Sequence, residues 1–151
     1  MLSQILERNI TMDYRRFEDT IIARLDKGEE ILEQVKVIAL KENIRLASIQ
    51  ALGAVDRFTV GTFKTDEKKF YGRDFEGCYE IVSLTGTIDT MKGEFYTHLH
   101  MSAGNETGQV VGGHLSKAYI SGTCEMVIRI IPGVVERKFC PEIGLNLFEF
   151  I

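Results

Sequence analysis

The chain has 151 residues, of which 44% are hydrophobic and 26% charged, and its formal net charge is −4. Such a length and composition describe one globular domain with an ordinary core, and exclude a disordered chain, a collagen or a coiled coil. The acidic balance also counts against a protein that grips nucleic acid over its whole surface, because neutralising phosphates calls for a basic excess.

Residues 1–14 read as an N-terminal extension and residues 15–151 as a single domain. Met1 to Met12 has no sustained apolar run and carries Glu7 and Arg8, so no signal peptide is expected there. No apolar stretch is long enough to cross a bilayer, which makes the cytoplasm the expected location. In residues 17–25, Ile21, Ala23 and Leu25 alternate onto one face, predicting a strand. Asp26 and Glu29 have capping-box spacing, with Asp26 as N-cap. The helix that follows carries Ile31, Leu32, Val35, Ile38 and Ala39 on one stripe, turns Glu33, Lys36 and Glu42 to water, and ends at a left-handed Asn43.

From Ile44 onward the hydrophobic period shortens toward two. It predicts strands over 45–52, 57–63, 79–87, 95–102, 109–112, 116–120, 124–131, 134–139 and 145–150. The polar segment 64–74 reads as a surface loop. Most gaps are too short for crossover helices, so the expected fold class is α+β, a mainly antiparallel sheet with one main helix packed on it. Cys78, Cys124 and Cys140 are far apart and form no Cys-x-x-Cys pair, and are expected to be buried free thiols.

All three histidines fall between positions 98 and 114. In Thr97-His98-Leu99-His100-Met101 the two imidazoles share one face of a strand, with Leu99 and Met101 on the other. The turn signal at Gly104–Gly108 folds the chain back, and a tight turn at Asn105–Thr107 places position 98 opposite about position 114. His98, His100 and His114 then meet as three ligands for a divalent ion, with Gly112 and Gly113 leaving space beside them. Zinc suits three imidazoles, as do nickel, copper and iron. An open fourth position makes the ion a Lewis acid; a carboxylate or a second subunit there makes it structural. Asp89, Glu94 and Glu106 are the nearby acids a general base would come from. Gly-Gln-Val-Val-Gly-Gly at 108–113 lacks the lysine and following helix of a phosphate loop and reads as strand glycines.

Two segments together resemble the plants-and-prokaryotes conserved (PPC) domain. Gly77-Cys78-Tyr79-Glu80-Ile81-Val82-Ser83-Leu84-Thr85-Gly86 is similar to that family's Gly-Arg-Phe-Glu-Ile-Leu-Ser-Leu-Ser-Gly motif, with Cys78 in place of the arginine. Gly108-Gln109-Val110-Val111-Gly112-Gly113-His114 is similar to its Gly-Gln-Val-x-Gly-Gly core followed by the histidine of prokaryotic members. Ala51-Leu52-Gly53-Ala54-Val55 fits a strand end of the family. The resemblance spans about residues 15–150. It implies a strongly bent, mainly antiparallel sheet with a helix, a homotrimer, and His98, His100 and His114 at the histidine positions of prokaryotic members. It also implies a DNA-binding or regulatory role by association with plant relatives, although the Arg-Gly-Arg-Pro hook of those relatives does not occur here.

Three readings follow. The chain is a trimeric PPC-domain protein of DNA-binding or regulatory type, acting on DNA directly or through a protein partner; or a zinc-dependent hydrolase; or a structural assembly module.

Overall fold

The computed structural model describes residues 11–151; the first ten residues of the expected extension lie outside them. In chain order the elements are β1 (Asp13–Phe17), β2 (Thr20–Asp26), α1 (Ile31–Lys41), β3 (Ala47–Lys64), β4 (Lys69–Met91), β5 (Glu94–Gly104), β6 (Val110–Ile130), β7 (Glu136–Cys140) and β8 (Leu145–Glu149). The described residues are therefore mostly strand, and α+β fits the fold only loosely. As expected, the sheet is mainly antiparallel; β4 with β7 is the parallel exception, joined at Thr90 and Glu136.

The segment expected to be one strand over 17–25 is the second half of a hairpin. Glu18, at a φ of 55°, turns the chain so that Phe17 pairs with Thr20 and β1 lies back on β2. Ile21, Ala23 and Leu25 do share a buried face. The Glu29 carboxylate reaches back to the Asp26 amide at 2.7 Å, as a capping box requires, yet the helix starts later than Asp26. Residues 28–30 first bind the edge of β6: Gly28 N–H donates to the Ile120 carbonyl and Ile120 N–H donates to the Glu29 carbonyl. Glu30 is the actual N-cap. Its carboxylate accepts from Glu33 N–H at 2.8 Å and from Ala118 N–H at 2.9 Å. The apolar stripe buries Ile31, Val35, Ile38 and Ala39, and Asn43 closes the helix at a φ of 52°.

Several expected short strands are pieces of long ones. Residues 45–52 and 57–63 fuse in β3 because the residues between them are bulges, with register slips between Ala51 and Gly53 and between Val55 and Arg57. The strands expected over 109–112, 116–120 and 124–131 fuse likewise into β6, Val110–Ile130. The segment expected as a surface loop, 64–74, is an extended arm: Lys64 pairs with Lys69, and the ladder runs back from there through Tyr71, Arg73 and Asp74. Its polarity has a physical cause, since an arm projecting past the core is wet on both faces.

The sheet also closes on itself. β3 pairs with both β4 and β6, and β5 pairs with the same two strands on their other sides. On its outer side β6 is covered by β5 at residues 110–114 and by β2 at 123–129. The gap between them is where Gly28, Glu29 and Glu30 dock, so backbone groups that a missing strand would leave unpaired are taken by the helix entry. The core fills the interior with Val55, Phe58, Leu84, Leu99, Met101, Leu115, Ile120 and Met126 among others. Of the cysteines, Cys124 is buried, and burial followed by the Glu125 charge pushes its thiol up to about 12. Cys140 is half-buried. Cys78 is exposed, contrary to expectation, because its neighbour Tyr79 takes the inward side of β4.

Candidate metal centre

Strand alternation on β5 sends Leu99 and Met101 inward, 1% and 2% exposed, and leaves His98 and His100 on the opposite face. His114 arrives on β6 by a hairpin, as the sequence requires, but two residues away from the expected register. His114 stands opposite His100, and His98 stands opposite Thr87 of β4. The turn is the reason. The Asn105 carboxamide oxygen accepts from the N–H groups of both Thr107 and Gln109, which centres the reversal on Thr107 and pairs Gly104 with Val110.

The three rings converge all the same. Their centroids lie 5.0 Å (His98–His100), 5.0 Å (His98–His114) and 5.6 Å (His100–His114) apart. One nitrogen from each falls within 4.8 Å of the others. His98 Nε2 and His100 Nε2 are 3.2 Å apart. Two nitrogens bonded to one tetrahedral zinc at ~2.0 Å each would stand roughly 3.3 Å apart, so this pair already has the spacing of ligands. Burial, then the charges of His114, Arg137 and His100, push the His98 imidazole down to about 4; burial and then His100 lower His114 as well. Both rings are thereby held neutral near pH 7, the form in which imidazole ligates metal. His100 is exposed, so the cluster opens toward solvent. A donor set of three imidazole nitrogens fits a borderline ion such as zinc and does not fit calcium or magnesium.

Gly112 and Gly113 do not leave space beside the rings. A Cβ on Gly112 would meet the Met101 carbonyl oxygen at 2.7 Å, and one on Gly113 would meet that of Gly61 at 2.5 Å. These glycines let β5 and β3 approach β6 closely on either side of His114. The acids also fall differently from expectation. Asp89 is fully buried and bound through both oxygens by Arg137, with Nε at 2.6 Å and Nη2 at 3.0 Å, while Thr87 Oγ1 donates to it at 2.7 Å. The Arg137 guanidinium lies over the rings of both Tyr96, at 4.7 Å, and Phe148, at 4.4 Å, which helps tie the β7–β8 hairpin to β5. Glu94 is exposed and four residues up the strand from His98, about 13 Å at ~3.3 Å per residue. Glu106 is exposed at the far tip of the β5–β6 hairpin.

With this arrangement in view, comparison with known proteins is decisive on ancestry. The family model of the Plants and Prokaryotes Conserved (PCC) domain, abbreviated PPC above, matches residues 12–132. The chain belongs to the PCC-domain family. No curated protein matches its sequence. Among solved structures, a plant- and prokaryote-conserved protein from Pyrococcus horikoshii is 31% identical, with 93% of this chain and 96% of that one covered and a TM-score of 0.80. A "putative DNA-binding protein" from Bacteroides thetaiotaomicron is 27% identical over 93% of this chain and 99% of that one, with a TM-score of 0.90. A metal-containing protein from Archaeoglobus fulgidus is 26% identical over 93% and 99%, with a TM-score of 0.81.

Within this PCC domain the sequence named the three histidines but missed two neighbours. Phe70, whose ring centroid lies 5.5 Å from that of His114, was hidden by reading 64–74 as a loop. Arg137 sat inside an expected strand, and nothing local tied it to Asp89, 48 residues away. No helix among the described residues of this PCC domain is long and apolar enough to cross a membrane.

Proposed function

We propose that this PCC-domain protein is a metal-binding regulatory or assembly protein in which His98, His100 and His114 hold one zinc ion. The observation that carries the reading is the convergence of three imidazoles, two of them held neutral, from positions 98, 100 and 114. Bound there, zinc would supply Lewis acidity at an open fourth position. The chain's own residues supply little for hydrolysis: Asp89 is the nearby carboxylate, and Arg137 and Thr87 occupy its oxygens. That favours a binding or structural role over a hydrolase. The metal-containing Archaeoglobus relative supports the same reading.

The reading includes a homotrimer. Ile22, Leu52, Val82 and Val127 are 38–61% exposed and line one shallow surface across β2, β6, β3 and β4, as an apolar contact between subunits would require. DNA association, named for the Bacteroides relative, would on this chain run through a partner, because the net charge is negative and α1 spends its apolar face on the core.

The test is metal analysis of untagged protein purified without chelators, combined with light scattering. Near-stoichiometric zinc in a trimer is the expected result. Metal-free protein that also takes up no added zinc would sink the metal reading, and a monomer at all working concentrations would sink the assembly.

A further inference from the structure

Metal-ligating histidines are usually steered by a hydrogen bond to the ring nitrogen that faces away from the ion. Among the described residues, the polar contact within the cluster joins the His98 and His100 Nε2 atoms that would face the ion, and no protein group hydrogen-bonds to the His114 ring. His114 is instead met by an aromatic wall. The Phe70 and His114 rings pack in a T-shape, with centroids 5.5 Å apart and planes at 75°.

Phe70 reaches that position because two glycines make room. Gly61 stands opposite His114 on β3, and Gly72 stands opposite Gly61 on β4. Directly opposed residues project to the same face of a sheet, so His100, His114, Gly61 and Gly72 form one row across four strands. Phe70, two residues from Gly72, shares that face. A Cβ on Gly61 would come within 2.7 Å of Phe70 Cζ, and one on Gly72 within 3.0 Å of Phe70 Cε1. The tip of the ring therefore occupies the slot the glycines leave, and the ring packs against His114.

We propose that Phe70 is a positioning residue for the metal centre, fixing the His114 ring by contact where a hydrogen bond is lacking, and that the arm built by β3 and β4 is the wall of the site. The proposal rests on the zinc reading above and goes beyond it, since nothing in the donor set calls for an aromatic at position 70. Positions 61 and 72 gain a role as well: side chains there would displace Phe70.

The experiment measures zinc affinity by chelator competition, and the visible spectrum of the cobalt(II)-loaded protein, in full-length wild type, Phe70→Ala, Gly72→Ala and the double variant. Gly72→Ala is the milder probe. Gly72 has an ordinary backbone conformation, and its added Cβ would meet side chains alone, Phe70 Cε1 at 3.0 Å and Thr59 Cγ2 at 3.2 Å. Phe70→Ala should weaken zinc about 10-fold or more, the scale of losing a group that orients a ligand. The cobalt bands should shift as the third nitrogen moves, which general destabilisation would not cause. Gly72→Ala should change affinity in wild type and have no further effect once Phe70 is Ala, because it acts through that ring. Wild-type zinc affinity and cobalt spectra in both single variants would overturn the role of Phe70 while leaving the metal site standing. An effect of Gly72→Ala that persists in the double variant would overturn the coupling. A wild-type chain that binds neither ion would overturn both readings.

Discussion

His100 and His114 stand directly opposite one another on β5 and β6, their ring centroids 5.6 Å apart, held there by a turn that the Asn105 side chain shapes. On the zinc reading each supplies one bond to the same ion. His100→Ala should lower zinc affinity by about 100-fold or more, beyond the 10–100-fold typical of an orienting neighbour. His114→Ala should do the same, and the thermal midpoint of metal-free protein should barely move for exposed His100. Chelator competition and calorimetry on the two variants decide it; full zinc binding by either would remove that histidine from the site.

Arg137 and Asp89 form a buried ion pair with two short bonds, and removing one partner strands the other charge away from water. Arg137→Ala should destabilise the chain by about 3–5 kcal/mol. The double variant with Asp89→Ala should cost clearly less than the sum of the single changes, because no charge is then left unpaired. Denaturant unfolding of the four proteins gives the cycle, and simple additivity would contradict the pairing.

Metal-free protein should lose stability as the pH falls. His98 in the folded chain sits near 4 against an ordinary value of 6.5. Between those values the unfolded chain holds a proton that the folded chain lacks, so stability rises with pH. The contribution is fully present above about 6.5 and is lost as pH falls toward 4; the lowered His114 acts in the same direction. Thermal midpoints taken from pH 7.5 to 4.5 should drop more steeply in wild type than in His98→Asn. Parallel profiles would show that His98 is not displaced from its ordinary value.

Duplex DNA should bind the isolated chain weakly. Lys27, Lys36, Lys41, Lys64, Lys68, Lys69 and Arg73 are interleaved with acids, and Lys64 is paired with Glu67. The expected level is non-specific, ~10⁻⁴ M or poorer at physiological salt. Titration of untagged protein against random and AT-rich duplexes at two salt concentrations tests this, and tight, selective binding that survives the higher salt would contradict it.

Much of this molecule is legible in its sequence because it rests on short-range periodicity. Alternation set His98 and His100 on one face, the helical stripe is buried as read at Ile31, Val35, Ile38 and Ala39 with Leu32 half-buried, and Asn43 is left-handed. What stayed hidden depends on events between strands. Bulges at Ala51–Gly53 look like turns in one dimension and are continuous ladders in three. The arm through Phe70 reads as loop because its hydrophobic alternation is diluted by lysines that only an unburied hairpin tolerates. The two-residue shift of His114 came from one side chain, Asn105, whose bonds to backbone amides move the centre of the turn by a single residue. The partnership of Asp89 with Arg137 joins elements far apart in the chain and left no local trace.

The closure of β3, β4, β5 and β6 on one another has a kinetic meaning. In an open sheet an edge strand frays, and a ligand carried on it comes and goes with that fraying. Here β5 is laced to β4 along its length and to β6 over His100–Gly104, so neither His98 nor His100 rides on a strand that can peel away alone. Amide protons of that strand should exchange only through events that open most of the fold. An ion would then enter and leave through the solvent-facing side at His100, at a rate set by the exchange of ligands on a rigid surface rather than by the breathing of the protein beneath it.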